Sequence, residues 1–527
     1  MKVVIVGGGT AGWLTACYFE SYNKIYEEDK QFHLRYDITG IESPTVPIIG
    51  AGEGSIGMFP DMIRKMSNIG ITELEFLRET ESTLKLAINF KDWDGVGTSY
   101  FSPLGPTWTY NHNVDSKLFA FAVYGKLSDA SICGYLAKRG FSTYRTNYAQ
   151  RIDLHAFHFD AHKVGQYLGK KAKAVGTTHI VDHIVDVNKD VNGNITSVKL
   201  QSGKLIYGDL FIDCSGFSRV LTKAMDMGWH SYEEYLPVNS ALPYLHQYEE
   251  NEQIMPETLA WAQKNGWMWQ IPTQTRYGCG YVYSDNFTTP ESALDELQQT
   301  TGRKIEPIRN LKFQVGRLNK FWNKNVVAIG LSSAFLEPLQ ATSIHTTVLQ
   351  LQMLFNYIHP NETNNLDVYS VDYNKYLVSV VDEFRDLLQI HYMTKREDTE
   401  FWKFIKHDLK KTEKTKFILE TAKYRSLSFY DFDSVHGTAS WGVWGWTLLG
   451  LDIIDKRMII RTLNKHGLHS QASLLVEDMT KQNEQQSKLL LTHNQFIQGL
   501  KENKFYDSNF IKTREVGTVG GFQQWRG

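Results

Sequence analysis

The spacing of apolar residues changes period early in the chain. Lys2 is followed by the β-branched run Val3-Val4-Ile5-Val6, then by three glycines, then by a segment in which Ala11, Leu14, Ala16, Cys17 and Phe19 recur at helical spacing. This predicts strand, tight turn and helix. A second strand is expected over residues 36–41 and ends at Glu42, with the polar stretch 22–31 as a long helix end or an insertion. Residues 84–90 alternate strictly, which predicts one strand with Leu84, Leu86, Ile88 and Phe90 on one face and Lys85, Ala87 and Asn89 on the other. Asp160 stands where a carboxylate would cap the helical run containing Val164, Tyr167 and Leu168. Segments 180–187, 195–200 and 205–212 read as a strand meander turning at Asn192-Gly193-Asn194 and Ser202-Gly203. From about residue 370 the pattern is mostly helical and polar, ending in amphipathic Lys- and Gln-rich segments over 471–501. No repeat or low-complexity linker separates these regions, so interleaved domains are expected.

Composition narrows the class. With 56 Lys+Arg against 58 Asp+Glu the net charge is −2, which excludes an obligate nucleic-acid or anionic-membrane binder. The four cysteines (Cys17, Cys133, Cys214, Cys279) form no CxxC pair, so neither a disulfide framework nor a structural zinc site is expected, and a reducing, cytoplasmic setting fits. His158 and His162 have i,i+4 spacing near His155, but no third ligand follows from the pattern and no metal is expected. The longest apolar stretch, 439–454, is broken by Gly442, Gly445 and Gly450 and is too short to anchor in a membrane. The N-terminal apolar run is read as the first strand, not as a secretory signal, because glycines follow it directly. Aromatic residues reach 13% of the chain, with 13 Trp, a surplus that invites a pocket.

Gly7-Gly8-Gly9-Thr10-Ala11-Gly12 satisfies GxGxxG between a strand and a helix. In that context the glycines allow a tight turn, close approach of a pyrophosphate and close helix–strand packing, with the phosphates at the helix N-terminus. Glu42 is placed to accept from a ribose hydroxyl. FAD and NAD remain open on these residues. The segment Asp209-Leu210-Phe211-Ile212-Asp213-Cys214-Ser215-Gly216 resembles the acidic strand of FAD-dependent monooxygenase folds, which points to FAD.

Further segments carry a closer resemblance. Trp267-Met268-Trp269-Gln270-Ile271-Pro272 matches the WxWxIP signature of flavin-dependent halogenases of the tryptophan halogenase family. Gly280-Tyr281-Val282-Tyr283-Ser284, Gly50-Ala51-Gly52-Glu53-Gly54-Ser55, His158-Phe159-Asp160-Ala161 and the stretch from Val327 to Leu339 are similar to the same family. The resemblance implies an α/β protein: a Rossmann-like FAD-binding fold of flavin monooxygenase type, interleaved with a substrate-binding sheet over residues 1–350, and a mostly helical substrate-capping region over 351–527. It implies an enzyme that takes reduced FAD from a separate flavin reductase, uses O2 to oxidise halide to hypohalous acid, and passes that acid through a tunnel to a lysine beside a small aromatic substrate. A homo-oligomer is compatible with this reading. The matching lysine is Lys85. On residue type alone Lys85 would be a solvated strand lysine; desolvated, it could act as a nucleophilic amine or stay charged and hydrogen-bond hypohalous acid.

The resemblance places FAD against Gly7, Gly9, Thr10, Ala11, Gly12, Trp13, Glu42, Ala51, Ile184, Leu331 and Ile344, and halide at the backbone amides of Thr342 and Ser343. Trp267 and Trp269, on one strand face with Ile271, would wall the flavin from the substrate, although core packing is the default for such a stripe. The halide loop departs from the family's PLESTGI: Gln340 replaces the glutamate that supports the lysine, Ala341 the serine and Ser343 the glycine. Ser343 in a glycine position is expected to alter the backbone, and a relaxed site to favour larger, more easily oxidised halides. Ser102-Pro103-Leu104-Gly105 stands where the family has HPFG, so Ser102 and Leu104 replace an aromatic grip, and Trp441, Trp444 and Trp446 are candidates for the opposite wall. An electron-rich indole or phenol is therefore expected in preference to free tryptophan. The alternative on the same fold is an aromatic hydroxylase or epoxidase.

Overall fold

Val3 to Val6 lie at the centre of a six-stranded sheet, in the order Thr178–Val181, Asp37–Glu42, Lys2–Val6, Leu210–Asp213, Val326–Ala328, Trp322–Asn323. The strands are parallel except for the short last one. Parallel strands buried on both faces require apolar side chains throughout, which is why Val3 to Val6 are all buried and show no alternation. The computed structural model describes residues 1–31, 33–46, 50, 52–104, 116–152, 154–362, 366–428, 431–432, 441–505 and 511–513. Ala51, Gly105 and the side chain of Trp441 lie outside the described residues.

The long helix Thr10–Glu28 follows the first strand and absorbs most of the polar stretch before Asp37–Glu42, so that stretch is a helix end. Helix Ala161–Val175 packs beside it, and Asp160 caps it by accepting from the His162 and Lys163 amides. His158 lies on the preceding strand Ala156–Phe159, so its spacing to His162 is not helical. Residues 205–212, read as one strand, divide at Gly208: Leu205–Tyr207 closes a small antiparallel sheet, whereas Leu210–Asp213 crosses to pair with Lys2–Val6. Residues 180–187 divide in the same way, between Thr178–Val181 in the parallel sheet and Ile184–Lys189 in the antiparallel one.

A seven-stranded sheet forms the second layer, in the order Leu311–Lys312, Ser240–Gln247, Arg276–Tyr283, Gly266–Pro272, Glu257–Ala262, Ala87–Lys91, Ser99–Pro103. The strand expected over 84–90 is interrupted at Leu86. Leu86 donates its N–H to Pro256 O and accepts from the Leu104 N–H, so Thr83–Lys85 turns away to pair with Ala156–Phe159 while Ala87–Lys91 joins the large sheet. The break matters because it separates Lys85 from Ala87 and places the lysine at a junction between two sheets.

The C-terminal helices are packed into this body. Helix Thr342–Leu354 runs through residue 350, and Gln350 accepts from the Gly330 amide and donates to Ala328 O. Helix Asp367–His391 packs on it, and the late strand Leu490–Thr492 pairs with Phe141–Arg145. Among the described residues no helix is long and apolar enough to cross a membrane.

Candidate active site

Four groups of residues build the site, beginning with the glycine turn. Gly7 adopts φ +124, and a Cβ there would stand 2.2 Å from Cys214 O; a Cβ on Gly12 would stand 1.9 Å from Gly7 O. Only glycine lets the first turn of the helix sit this close to the two strands. Gly9 caps helix Thr10–Glu28 without a side-chain bond, and no acid occupies its first turn. The free amides and the positive end of the helix dipole therefore face outward, as a pyrophosphate requires. A Cβ on Gly8 would collide with Glu42, whose carboxylate reaches His179 Nε2 at 2.9 Å, and Trp13 meets that imidazole edge-on at 4.9 Å. Ala11 abuts Gly330, Leu331 lies in the following turn Gly330–Ser332, and Ile344 is buried in the first turns of helix Thr342–Leu354. Ile184 packs with Ile41 and Val198 on the other side of the parallel sheet. The turn has the glycines that a dinucleotide-binding fingerprint needs: a side chain on Gly7, Gly8 or Gly12 would occupy space held by backbone or by Glu42, while a Cβ on Gly9 would meet no protein atom within 4 Å.

Lys85 ends its strand opposite Ala156 and is only 2% exposed. Its Nζ lies 3.2 Å from the point where Gly54 would carry a Cβ, and Thr258 Oγ1 lies 3.7 Å from the same point. Thr258 in turn meets His158 Nε2 at 2.8 Å, and His158 is itself fully buried. Among the described residues no carboxylate pairs with Lys85. Burial without a counter-charge pushes its pKa down from the usual 10.5 to about 7. This is a desolvated amine in a packed chamber, not a surface lysine.

The loop that resembles the family's halide segment lies across Gly54 from the lysine, because the turn Leu339–Ala341 packs against Glu53–Gly54. Gln340 (φ 61) and Ala341 (φ 56) both occupy the left-handed region, a costly arrangement for two consecutive side-chain-bearing residues. Ser343, the residue in the family's glycine position, lies inside helix Thr342–Leu354 with ordinary helical backbone, so the expected distortion falls on Gln340 and Ala341 instead. The helix opens with no side-chain cap, which leaves the Thr342 and Ser343 amides without intrahelical acceptors. Thr342 is 2% exposed, and its hydroxyl has no partner among the described residues. Donors without acceptors at a helix N-terminus suit a small anion.

Trp267, Trp269 and Ile271 share one face of Gly266–Pro272 and are buried in the main core. Trp267 Nε1 donates to Glu337 Oε2 at 2.8 Å, and the Tyr392 hydroxyl donates to the same oxygen at 2.7 Å. Glu337 is fully buried, its other oxygen has no partner among the described residues, and desolvation pushes it up to about 7. A Cβ on Gly280 would stand 2.0 Å from the Trp269 ring, so the glycine of the neighbouring strand makes room for the indole. Ser102 is buried opposite Ile88, and Leu104 is half-buried beside Leu86. Trp444 and Trp446 are buried in a second core cluster, and neither indole N–H has a partner among the described residues. Phe90 and Tyr100 stack at 4.7 Å, and Phe90 meets His391 at 4.8 Å. The sequence pattern does not single out Thr258, Glu337, Tyr392 or His391 as site residues; Glu337 stands inside a segment similar to the family, five residues ahead of Thr342.

A glycine turn at a helix start, a desolvated lysine, a second uncapped helix start and a buried tryptophan pair are thus brought together in one mixed α/β chain. The tryptophan halogenase family matches residues 2–460, and the chain belongs to this family. It is 33% identical over 433 residues to tryptophan 7-halogenase RebH of Lentzea aerocolonigenes, covering 76% of this chain and 78% of that protein. Its structure is similar to Tar14, a tryptophan C-6 flavin-dependent halogenase (chlorinase) from taromycin biosynthesis, with TM-score 0.86, 28% identity and coverage of 95% of this chain and 99% of that one. It is also similar to Xcc4156, a flavin-dependent halogenase from Xanthomonas campestris, with TM-score 0.83, 26% identity and coverage of 94% and 97%. The chain is thus a flavin-dependent halogenase with a mixed α/β fold, of a family that acts on aromatic substrates with a separate flavin reductase.

Proposed function

We propose that this chain halogenates an electron-rich indole- or phenol-like compound through Lys85. When bound at the glycine cradle, reduced FAD with O2 supplies the oxidising equivalent that converts halide to hypohalous acid. The chain's own residues do the rest. The Gly7, Gly9, Thr10, Ala11, Gly12 and Trp13 turn holds the pyrophosphate end, with Glu42 on the ribose. The Thr342 and Ser343 amides hold the halide. The wall of Trp267 and Trp269 keeps organic substrate away from the flavin, so that only the small acid passes.

Lys85 then donates a hydrogen bond from its ammonium to the oxygen of the hypohalous acid. This makes the halogen more electrophilic and hydroxide a better leaving group. The aromatic ring takes the halogen, the arene proton leaves with the oxygen as water, and no net redox change remains with the lysine. Ser102 and Leu104 replace an aromatic grip on one side of the substrate, and the helical region from 351 onward caps it, with Trp446 near the opposite wall.

The observation that carries this reading is the burial of Lys85 beside Gly54, with no counter-charge among the described residues, under the turn Leu339–Ala341. Incubation with a flavin reductase, NADH, each halide and a panel of indoles and phenols, read by mass, tests it. Halogen added to product supports the reading. Oxygen added instead would reassign the chain to aromatic hydroxylation.

A further inference from the structure

Gln340 stands where the family motif has a glutamate, and its amide is held. Gln340 Nε2 lies 3.0 Å from His391 Nε2, and His391 is fully buried at the end of helix Asp367–His391. The other imidazole nitrogen, Nδ1, lies 2.8 Å from Leu387 O, a carbonyl that can only accept. The ring proton therefore sits on Nδ1, and Nε2 presents a lone pair. The Thr447 hydroxyl approaches the same Nε2 at 3.4 Å, but its single proton is committed to Val443 O at 3.0 Å. The shorter contact, from the Gln340 amide N–H, fills the lone pair. The Gln340 oxygen must then face away from the imidazole, where it has no protein partner among the described residues on a half-buried side chain. The turn that carries it packs on Glu53–Gly54, the strand beside the Lys85 ammonium.

We propose that His391 is a positioning residue that locks the Gln340 amide with its oxygen toward the lysine chamber, as a neutral hydrogen-bond acceptor in place of the absent carboxylate. A carboxylate offers an acceptor oxygen whichever way it turns; an amide offers one only if it is oriented. Phe90 and Trp93 flank the imidazole with rings rather than charges, and burial pushes it down to about 4, so the lone pair persists across the neutral range. The oxygen of Gln340 accepts from hypohalous acid or from the Lys85 ammonium and keeps the two aligned. It takes no proton from the aromatic substrate; that proton ends on the oxygen released from hypohalous acid, as water.

This inference rests on the halogenase reading, and the test separates the two. The full chain is assayed with reductase, NADH, bromide and an indole, with a β-diketone added to capture hypohalous acid that escapes. The readout is the ratio of halogenated indole to halogenated trap, together with KM for the indole and the melting temperature. His391→Phe keeps the ring and removes the lone pair; it is expected to shift the ratio about tenfold toward the trap while KM stays within about twofold. Adding Gln340→Glu to His391→Phe is expected to restore the ratio to within about twofold of the parent. Gln340→Leu, at a half-buried position whose left-handed backbone already carries an unbranched-at-Cβ side chain, is expected to reproduce the loss if His391→Phe does not fold. An unchanged ratio in His391→Phe or in Gln340→Leu, or no recovery in the double variant, overturns the proposal. Neither product nor trapped halogen from the parent, with any halide, would overturn the halogenase reading itself.

Discussion

The indole N–H of Trp267 is bonded to the Glu337 carboxyl at 2.8 Å. The two sit on different elements, the strand Gly266–Pro272 and the segment leading to the halide loop, so the bond fixes the wall relative to the loop. Trp267→Phe removes one of the two donors to a fully buried carboxyl and is expected to cost about 1–3 kcal/mol in urea unfolding.

Glu337 also gives the wall a pH signature. Its folded-state pKa is raised from the usual 4.5 to about 7, so the folded chain holds the proton more tightly than the unfolded one. The corresponding stability is present at acid pH and is lost as pH rises through about 7. Glu337→Gln does not titrate, so the parent is expected to lose melting temperature relative to this variant between pH 5 and pH 7, with the difference level above that. A difference independent of pH would contradict the assignment.

Gly12→Ala places a methyl 1.9 Å from Gly7 O, against backbone that cannot move aside. It is expected to lower the melting temperature of the cofactor-free chain and to abolish FAD binding in a flavin fluorescence titration, whereas Gly9→Ala, which meets no protein atom within 4 Å, is expected to keep the melting temperature and weaken only FAD binding, by crowding the pyrophosphate. Unchanged FAD binding in Gly9→Ala would mean that the turn does not hold the cofactor as described.

The halide loop should discriminate weakly by size. The strain sits on Gln340 and Ala341, a small side chain replaces the family's serine, and the donors are backbone amides that follow a larger anion without a new side chain. Bromide, which is easier to oxidise, is expected to be incorporated ahead of chloride in equimolar competition. A strong preference for chloride would count against a relaxed site.

The sequence showed the glycine turn, the cap at Asp160 and the first strand because each has a local cause: a steric requirement, a capping carboxylate, a β-branched run. It also pointed to Lys85, Trp267, Gln340 and Thr342, through motif resemblance. It did not show why Lys85 is buried, since alternation over 84–90 reads as one strand and the break at Leu86 comes from bonds to Pro256 and Leu104, distant in sequence from one another. Ser343 misled for a related reason: its glycine counterpart implied strain there, while the structure takes up the left-handed turn two and three residues earlier, at Ala341 and Gln340. His391, Tyr392 and Glu337 were invisible as partners because their bonds join segments some fifty or more residues apart, and nothing in their local pattern marks them.

Lys85 has the opposite titration to Glu337. Its folded-state pKa falls from 10.5 to about 7, so the folded chain resists protonation; the penalty is full below about pH 7 and fades as pH rises toward 10.5. The parent is therefore expected to gain melting temperature relative to Lys85→Met between pH 7 and pH 10. A constant gap would place the amine in solvent.

The most direct measurement is halogenated product from parent and Lys85→Met under the same reductase, halide and aromatic substrate, with escaped hypohalous acid captured in parallel. The account expects the variant to lose enzyme-directed product by at least about a hundredfold while halide oxidation, read from the trap, continues. Lys85→Met giving the parent's yield and regiochemistry would contradict it.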